Sequence, residues 1–146
     1  TDNGLIGRLQ GSPYCTNKWD LLLSQGRRLW GFANADSHNA DDIGNGWNVV
    51  CARERSVRGI RAAFTAGRFY ASSGVEISRI AVRGGRVTVE TENARRIVAV
   101  STLGRRVAIS DDSAIVLDLQ EEWQYVRFEC WGDGEQFAWT QPFWVT

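Results

Sequence analysis

The one histidine of this 146-residue chain lies in the tripeptide Asp36-Ser37-His38. A carboxylate and an imidazole two residues apart can both reach a divalent cation, and a bound cation turns water into a nucleophile near neutral pH. Asn34, Ser37 and Asn39 flank the pair and could orient it through hydrogen bonds. A catalytic metal site ordinarily takes at least three ligands from protein, so two are too few. Asp41, Asp42 and Glu54 are the nearest other carboxylates, and solvation at the surface accounts for them. Read alone, the motif also describes a histidine that caps a turn or hydrogen-bonds Asp36 in a loop.

Other chemistries fit less well. Asp41 to Gly46 has the composition of a calcium loop, but Ile43 stands where an EF-hand needs an oxygen donor. Ser72-Ser73-Gly74 lacks the G-x-S-x-G of a nucleophile elbow, and a single histidine cannot serve as both ligand and base. Gly84-Gly85 and Gly132-Asp133-Gly134 precede no helix, so they read as hairpin turns rather than phosphate cradles. Arg68 could clamp a phosphate bidentately or serve in a structural ion pair.

The elements that must hold these residues can be read from periodicity. Residues 1–16 are polar and Gly-rich and read as a loop. Asn17 is placed as the N-cap of a helix, with Asp20 completing a capping box and Gly26 ending it. An apolar run at 28–34 reads as a buried strand, with Asp36–His38 at its end. A loop over 39–46 leads to a strand at Trp47–Cys51, and a helix capped by Ser56 stops at Gly67. From Val75 the period becomes two, and seven short strands at roughly ten-residue spacing predict an antiparallel sandwich. The expected fold class is thus α+β: a partial α/β segment over residues 1–73, then a β-sandwich over residues 74–146.

Bulk properties set the remaining bounds. The 17 basic and 17 acidic residues balance, with nine against six before residue 74 and eight against eleven after it. That balance argues for neither a nucleic-acid nor a membrane partner. Three cysteines (Cys15, Cys51 and Cys130) fit no disulfide framework and no zinc spacing. They favour a reducing compartment, the cytoplasm, while leaving a Cys15–Cys51 bridge open. The start at Thr1 and the absence of methionine lead us to expect a fragment or processed chain whose N-terminal portion is missing.

The residues from Asn17 to Gly74 carry a resemblance. Trp19-Asp20-x-Leu22-Leu23, Gly26-Arg27-Arg28, Trp30-Gly31-Phe32-Ala33, Asp36-Ser37-His38, Gly46-Trp47 and Ala66-Gly67-Arg68-Phe69-Tyr70-Ala71-Ser72 together resemble the C-terminal part of the PHP (polymerase and histidinol phosphatase) family, in its metal-dependent phosphoesterase branch. The resemblance implies a remnant of a distorted β/α barrel, followed by the small sandwich common in that branch. It implies that Asp36 and His38 are ligands to a cluster of divalent metals (Zn, Mn or Fe), and that the substrate is a phosphate ester. The family's other ligands come from an early H-x-H pair, further histidines and a glutamate, and this chain has no second histidine. A homodimer, or the missing N-terminal half, would then have to complete the structure, and the chain alone would be catalytically silent.

A second reading comes from a different class. Trp123, Trp131, Trp139 and Trp144 all fall in the sandwich, where exposed tryptophan could stack on sugars or proline-rich peptides. The chain would then be a non-catalytic binding module with a structural α/β appendage. Period-two placement puts Trp131 and Phe128 on opposite faces of one strand, which favours packing for at least one of them.

Overall fold

Alternating apolar residues after Val75 need a partner sheet to bury one face, and the chain supplies two. The computed structural model describes residues 14–145. In chain order its elements are α1 (Thr16–Ser24), a 3-10 turn (Ala40–Asp42), β1 (Trp47–Val50), α2 (Val57–Thr65) and β2 (Phe69–Ser72). Then follow β3 (Ile77–Arg83), β4 (Arg86–Thr91), β5 (Arg96–Ser101), β6 (Arg105–Ser110), β7 (Ala114–Asp118), β8 (Tyr125–Trp131), β9 (Phe137–Thr140) and β10 (Phe143–Trp144). The small sheet has the order β3-β4-β7. The large one runs β1-β2-β9-β8-β5-β6, with β10 also paired to β8, and every pairing is antiparallel. The expected α+β fold with an antiparallel sandwich is therefore present.

The core lies between the sheets. Val87, Val89 and Ile115 meet Tyr70, Ile97, Ala99, Val126, Phe128, Cys130 and Ala138. Alternation along β8 sends Val126, Phe128 and Cys130 inward and Tyr125, Arg127, Glu129 and Trp131 to the opposite face. That outer face is covered as well, because α1 and the segment after it lie across it, so Tyr125 and Arg127 are as buried as the core. The last strand is interrupted. Pro142 has no N–H to donate, and the chain breaks there into β9 and β10, which pair with opposite ends of β8.

The sheet is continuous across residue 73. β2 pairs with β9 through Tyr70–Thr140, Ala71–Trp139 and Ser72–Ala138, and β1 extends the same sheet by four residues. β2 was not anticipated from sequence.

The helices follow local rules with one correction. Ser56 Oγ accepts from Gly59 N at 3.0 Å and starts α2, and Gly67 ends it in the left-handed region at φ 67°. Helix α1 begins one residue before the expected cap. Its N-cap position is Cys15, Asn17 Oδ1 accepts only from the neighbouring Lys18 N, and Asp20 is turned into the protein instead of back to a cap.

The expected strand at 28–34 does not form. The segment joins no ladder; two side-chain amides hold it. Gly31 N donates to Gln141 Oε1 (2.9 Å) and Gln141 Nε2 donates to Gly31 O (2.8 Å). Ala33 N donates to Asn48 Oδ1 (3.1 Å) and Asn48 Nδ2 donates to Ala33 O (2.8 Å). The Trp19 ring packs on Gly31 so closely that a Cβ there would lie 2.6 Å from it.

Candidate functional site

The segment ends in the Asp36–His38 turn. Asp36 sits at φ 49°, a left-handed conformation that aspartate tolerates better than most residues. Its carbonyl lies 2.7 Å from His38 Nδ1. A carbonyl can only accept, so Nδ1 carries the hydrogen, and in the neutral ring the Nε2 lone pair is left for a ligand. That is the arrangement in which a metal-binding histidine is usually held.

The other side of the turn is held by Asp42. One oxygen, Oδ2, accepts from both His38 N and Asn39 N at 2.9 Å, and the residue is only 2 % exposed. The surface reading of Asp42 is thus corrected: Asp41 is exposed, whereas Asp42 is a buried organiser of the turn. The Asn39-x-x-Asp42 spacing, an N-cap followed at the third position by a carboxylate, was the signal that could have found it.

The structure joins some of the expected site residues and not others. Asp36 and His38 are in direct contact and exposed, and the Asp36 carboxylate has no partner among the described residues. Ser37 is exposed on the same turn, and Asn39 is tied to it through Asp42. Asn34 is exposed too, and its carbonyl lies against Gly46. Arg68 is exposed and has no ion pair among the described residues. Its carbonyl accepts from Cys51 N at the far end of β1 from the 39–46 loop, and no contact joins it to the turn. Glu54 accepts from Ser56 Oγ at the start of α2.

For a divalent metal, the donors present fit two ligand positions: the free Nε2 of a ring fixed through Nδ1, and an unengaged carboxylate two residues earlier. Among the described residues no group of three His, Cys, Asp or Glu side chains comes together. All three cysteines are free thiols. Cys15 and Cys51 are exposed, while burial pushes the Cys130 thiol up to about 12.

Two features lie outside the turn. A cleft of about 830 Å³ borders α1, the 29–34 segment and β9, with Trp19, Trp30, Trp139 and Tyr14 in its walls and Asn34 and Glu135 among its polar groups. On the outer face of the large sheet Phe137 and Trp139 stack (5.6 Å, 27°) and Trp131 meets Phe137 edge-on. Phe128 lies in the sandwich core, so Trp131 and Phe128 do face opposite ways.

The second feature is a buried ionic network. Arg127 Nε and Nη2 donate to the two oxygens of Asp20 (2.7 and 2.6 Å), and Nη1 donates to Glu129 (2.8 Å). The Arg127 guanidinium also lies 5.2 Å from the Trp19 ring centroid, over its face. Tyr125 Oη donates towards Asp20 Oδ1 (2.9 Å) and the Ser101 carbonyl (3.0 Å). Burial, with the Asp20 charge second, pushes the Tyr125 hydroxyl up to about 12.

Fold and turn together describe an α+β sandwich protein with an exposed carboxylate–imidazole pair at a loop. Residues 23–69 match the model of the PHP-associated family, a stretch running from the end of α1 through the turn and α2 to the first residue of β2. The match covers about a third of the chain and supports a PHP-associated domain there. No curated protein and no solved structure matches the chain. No helix among the described residues is long and apolar enough to cross a membrane.

Proposed function

We propose that the chain is the C-terminal portion of a PHP-type metal-dependent phosphoesterase, and that Asp36 and His38 supply two ligands of its metal cluster. One observation carries the reading. Within the stretch that matches the PHP-associated family, His38 Nδ1 is engaged by the Asp36 backbone carbonyl, which leaves Nε2 free two residues from a carboxylate that has no partner among the described residues.

If a divalent cation binds there, the chemistry it would supply is a water ionised near neutral pH and charge balance for phosphoryl oxygens. The chain's own residues act around it. His38 and Asp36 would hold it, the Asp36 carbonyl keeps the ring in one tautomer, and Asp42 fixes the backbone of the turn. Ser37, Asn34 and Asn39 flank the ligands in sequence, and Arg68, which lies at the far end of β1 from the turn, remains the proposed cation for the substrate's phosphate. The remaining ligands come from a barrel half or a second copy of the chain. Among the described residues β1 is an edge strand, and that edge, together with exposed Phe32, Ile43, Trp47 and Val57, is the surface such a partner would cover.

Titration of the untagged chain with Mn²⁺ or Zn²⁺ tests this. Weak saturable binding, lost in both His38→Ala and Asp36→Ala, is expected, together with no turnover of p-nitrophenyl phosphate by the chain alone. Identical binding by wild type and both variants would overturn the ligand assignment.

The aromatic walls of the cleft support a second reading, in which the chain is a non-catalytic module that stacks sugars against tryptophan. Quenching of tryptophan fluorescence by oligosaccharides would support it, and its absence with every glycan tried would end it.

A further inference from the structure

We infer that Asn48 and Gln141 are positioning residues for the Asp36–His38 turn, so that the sandwich is part of the candidate metal site's framework. This rests on the ligand reading above. A side-chain amide carries the same donor and acceptor as a peptide group, and each of these two closes a two-bond ring with one backbone residue: Gln141 with Gly31, and Asn48 with Ala33. Gly31 and Ala33 are two apart, and both turn their backbone groups to amides carried by the same sheet.

The anchors sit on different strands. Asn48 belongs to β1, Gln141 directly follows β9, and β2 lies between those strands. Two strand spacings are roughly 9–10 Å. The segment therefore runs across the strands, from β9 over β2 to β1. The Phe32 ring packs against Phe69 of β2 on the way, with centroids 4.7 Å apart.

A crossing segment can form no ladder, because its own N–H and C=O groups do not meet a neighbouring strand at successive residues. The two amides take the place of the ladder. They carry the chain past the open β1 edge, and Asp36 follows three residues after the second anchor. Asp42 holds the turn from its other side. Freed from Asn48, the segment's nearest remaining backbone hydrogen bonds before Asp36, among the described residues, are those of Gly31 with Gln141, five residues upstream of the carbonyl that fixes the His38 ring.

The single histidine makes the test direct. In metal-free, untagged protein at pH 9, where an unperturbed imidazole is neutral, ring nitrogen NMR of His38 should show one tautomer with hydrogen on Nδ1. In Asn48→Ala and Gln141→Leu the signature should move towards the mixture of an unrestrained ring. Broadening of the His38 ring resonance by Mn²⁺ should then need about tenfold more metal, as when a group that orients a metal ligand is lost. Near-UV circular dichroism of the tryptophans reports whether each variant is folded. Should either fail to fold, Asn48→Asp and Gln141→Glu, which keep one bond of each ring, should give intermediate tautomer shifts.

Wild-type tautomer and metal response in the folded variants would overturn the positioning role. If wild type itself shows no Mn²⁺ broadening, the ligand reading fails, and the tautomer comparison still decides whether Asn48 and Gln141 set the ring.

Discussion

At the scale of single residues, the strongest constraint is a charge taken out of water. Arg127 is 1 % exposed and satisfied on three of its nitrogens, by Asp20 through two bonds and by Glu129 through one. Removing one member of such a pair leaves the other buried and uncompensated, which costs about 3–5 kcal/mol, whereas replacing both with apolar groups is often neutral. Arg127→Met should therefore lower the unfolding free energy in urea by that amount, and Asp20→Leu combined with Arg127→Met should recover most of it. A double variant as unstable as the single one would mean that the pair stabilises beyond its desolvation. Tyr125 adds a pH dependence whose sign is set by its pKa, raised to about 12 in the fold and about 10 when unfolded. Its stabilising share is complete below pH 10 and is lost as pH climbs towards 12, because only the unfolded chain has given up the proton. Two units correspond to at most about 2–3 kcal/mol. Stability should thus fall over that range, and less steeply in Tyr125→Phe. Cys130, also raised to about 12 by burial, begins its own loss lower, near its unperturbed value. A thiol reagent should therefore find Cys15 and Cys51 in the native protein and reach Cys130 only on unfolding.

At the scale of elements, close approach decides where the chain can pass. The Trp19 ring lies on Gly31, and any Cβ at that position would sit 2.6–2.8 Å from three ring carbons. Trp19 cannot swing away freely, since its Nε1 donates to the Leu29 carbonyl at 3.1 Å and its ring lies beside Arg127. Gly31→Ala should accordingly cost about 1–3 kcal/mol in chemical denaturation, with the near-UV tryptophan signal altered; an unchanged midpoint would show that the ring yields cheaply. The same segment shows where sequence reading succeeds and fails. Most of the strands from β3 to β9 were legible from apolar residues at period two, β5 from its continuous run Ile97-Val98-Ala99-Val100, and α2 because Ser56 and Gly67 bracket it. Strand β2, all four residues buried, has no alternation to read, since both of its faces are covered. The run at 28–34 looked like a strand because its residues are apolar. What denies it a ladder is two amides 15 and 110 residues away in sequence, and no local pattern carries that. Asp36 and His38 were legible as a pair, yet the residues that hold them were not. Asp42 passed for a solvated charge because burial by the turn that it organises leaves no hydrophobic period. Asp20 passed for a capping residue because its true partner is 107 residues distant.

At the scale of the molecule, composition and architecture divide the chain differently. Charge shifts from net positive to net negative near residue 73, but the large sheet runs through that point. Removing residues 1–73 would take β1 and β2 from the sheet and expose the β9 edge along Thr140, Trp139 and Ala138. It would also remove Tyr70 from the inter-sheet core, where its hydroxyl accepts from Ile77 N. The outer face would lose Asp20, leaving the Arg127 cation with Glu129 alone, and it would lose α1, which lies across it. A small sandwich has little stability to spare against an open edge, a missing core aromatic and an uncovered apolar face at once. The fragment 74–146 should therefore be aggregated, or lack the near-UV signature of packed tryptophans, while the chain that keeps α1 to β2 unfolds in one cooperative step. A soluble 74–146 fragment with a cooperative transition would show instead that the sandwich stands alone. The matched PHP-associated stretch would then be an appendage, and the binding-module reading would gain at the expense of the phosphoesterase one. If the fragment fails as expected, the sandwich cannot be separated from the segment that carries Asp36 and His38, which is what a metal-site framework built through Asn48 and Gln141 requires.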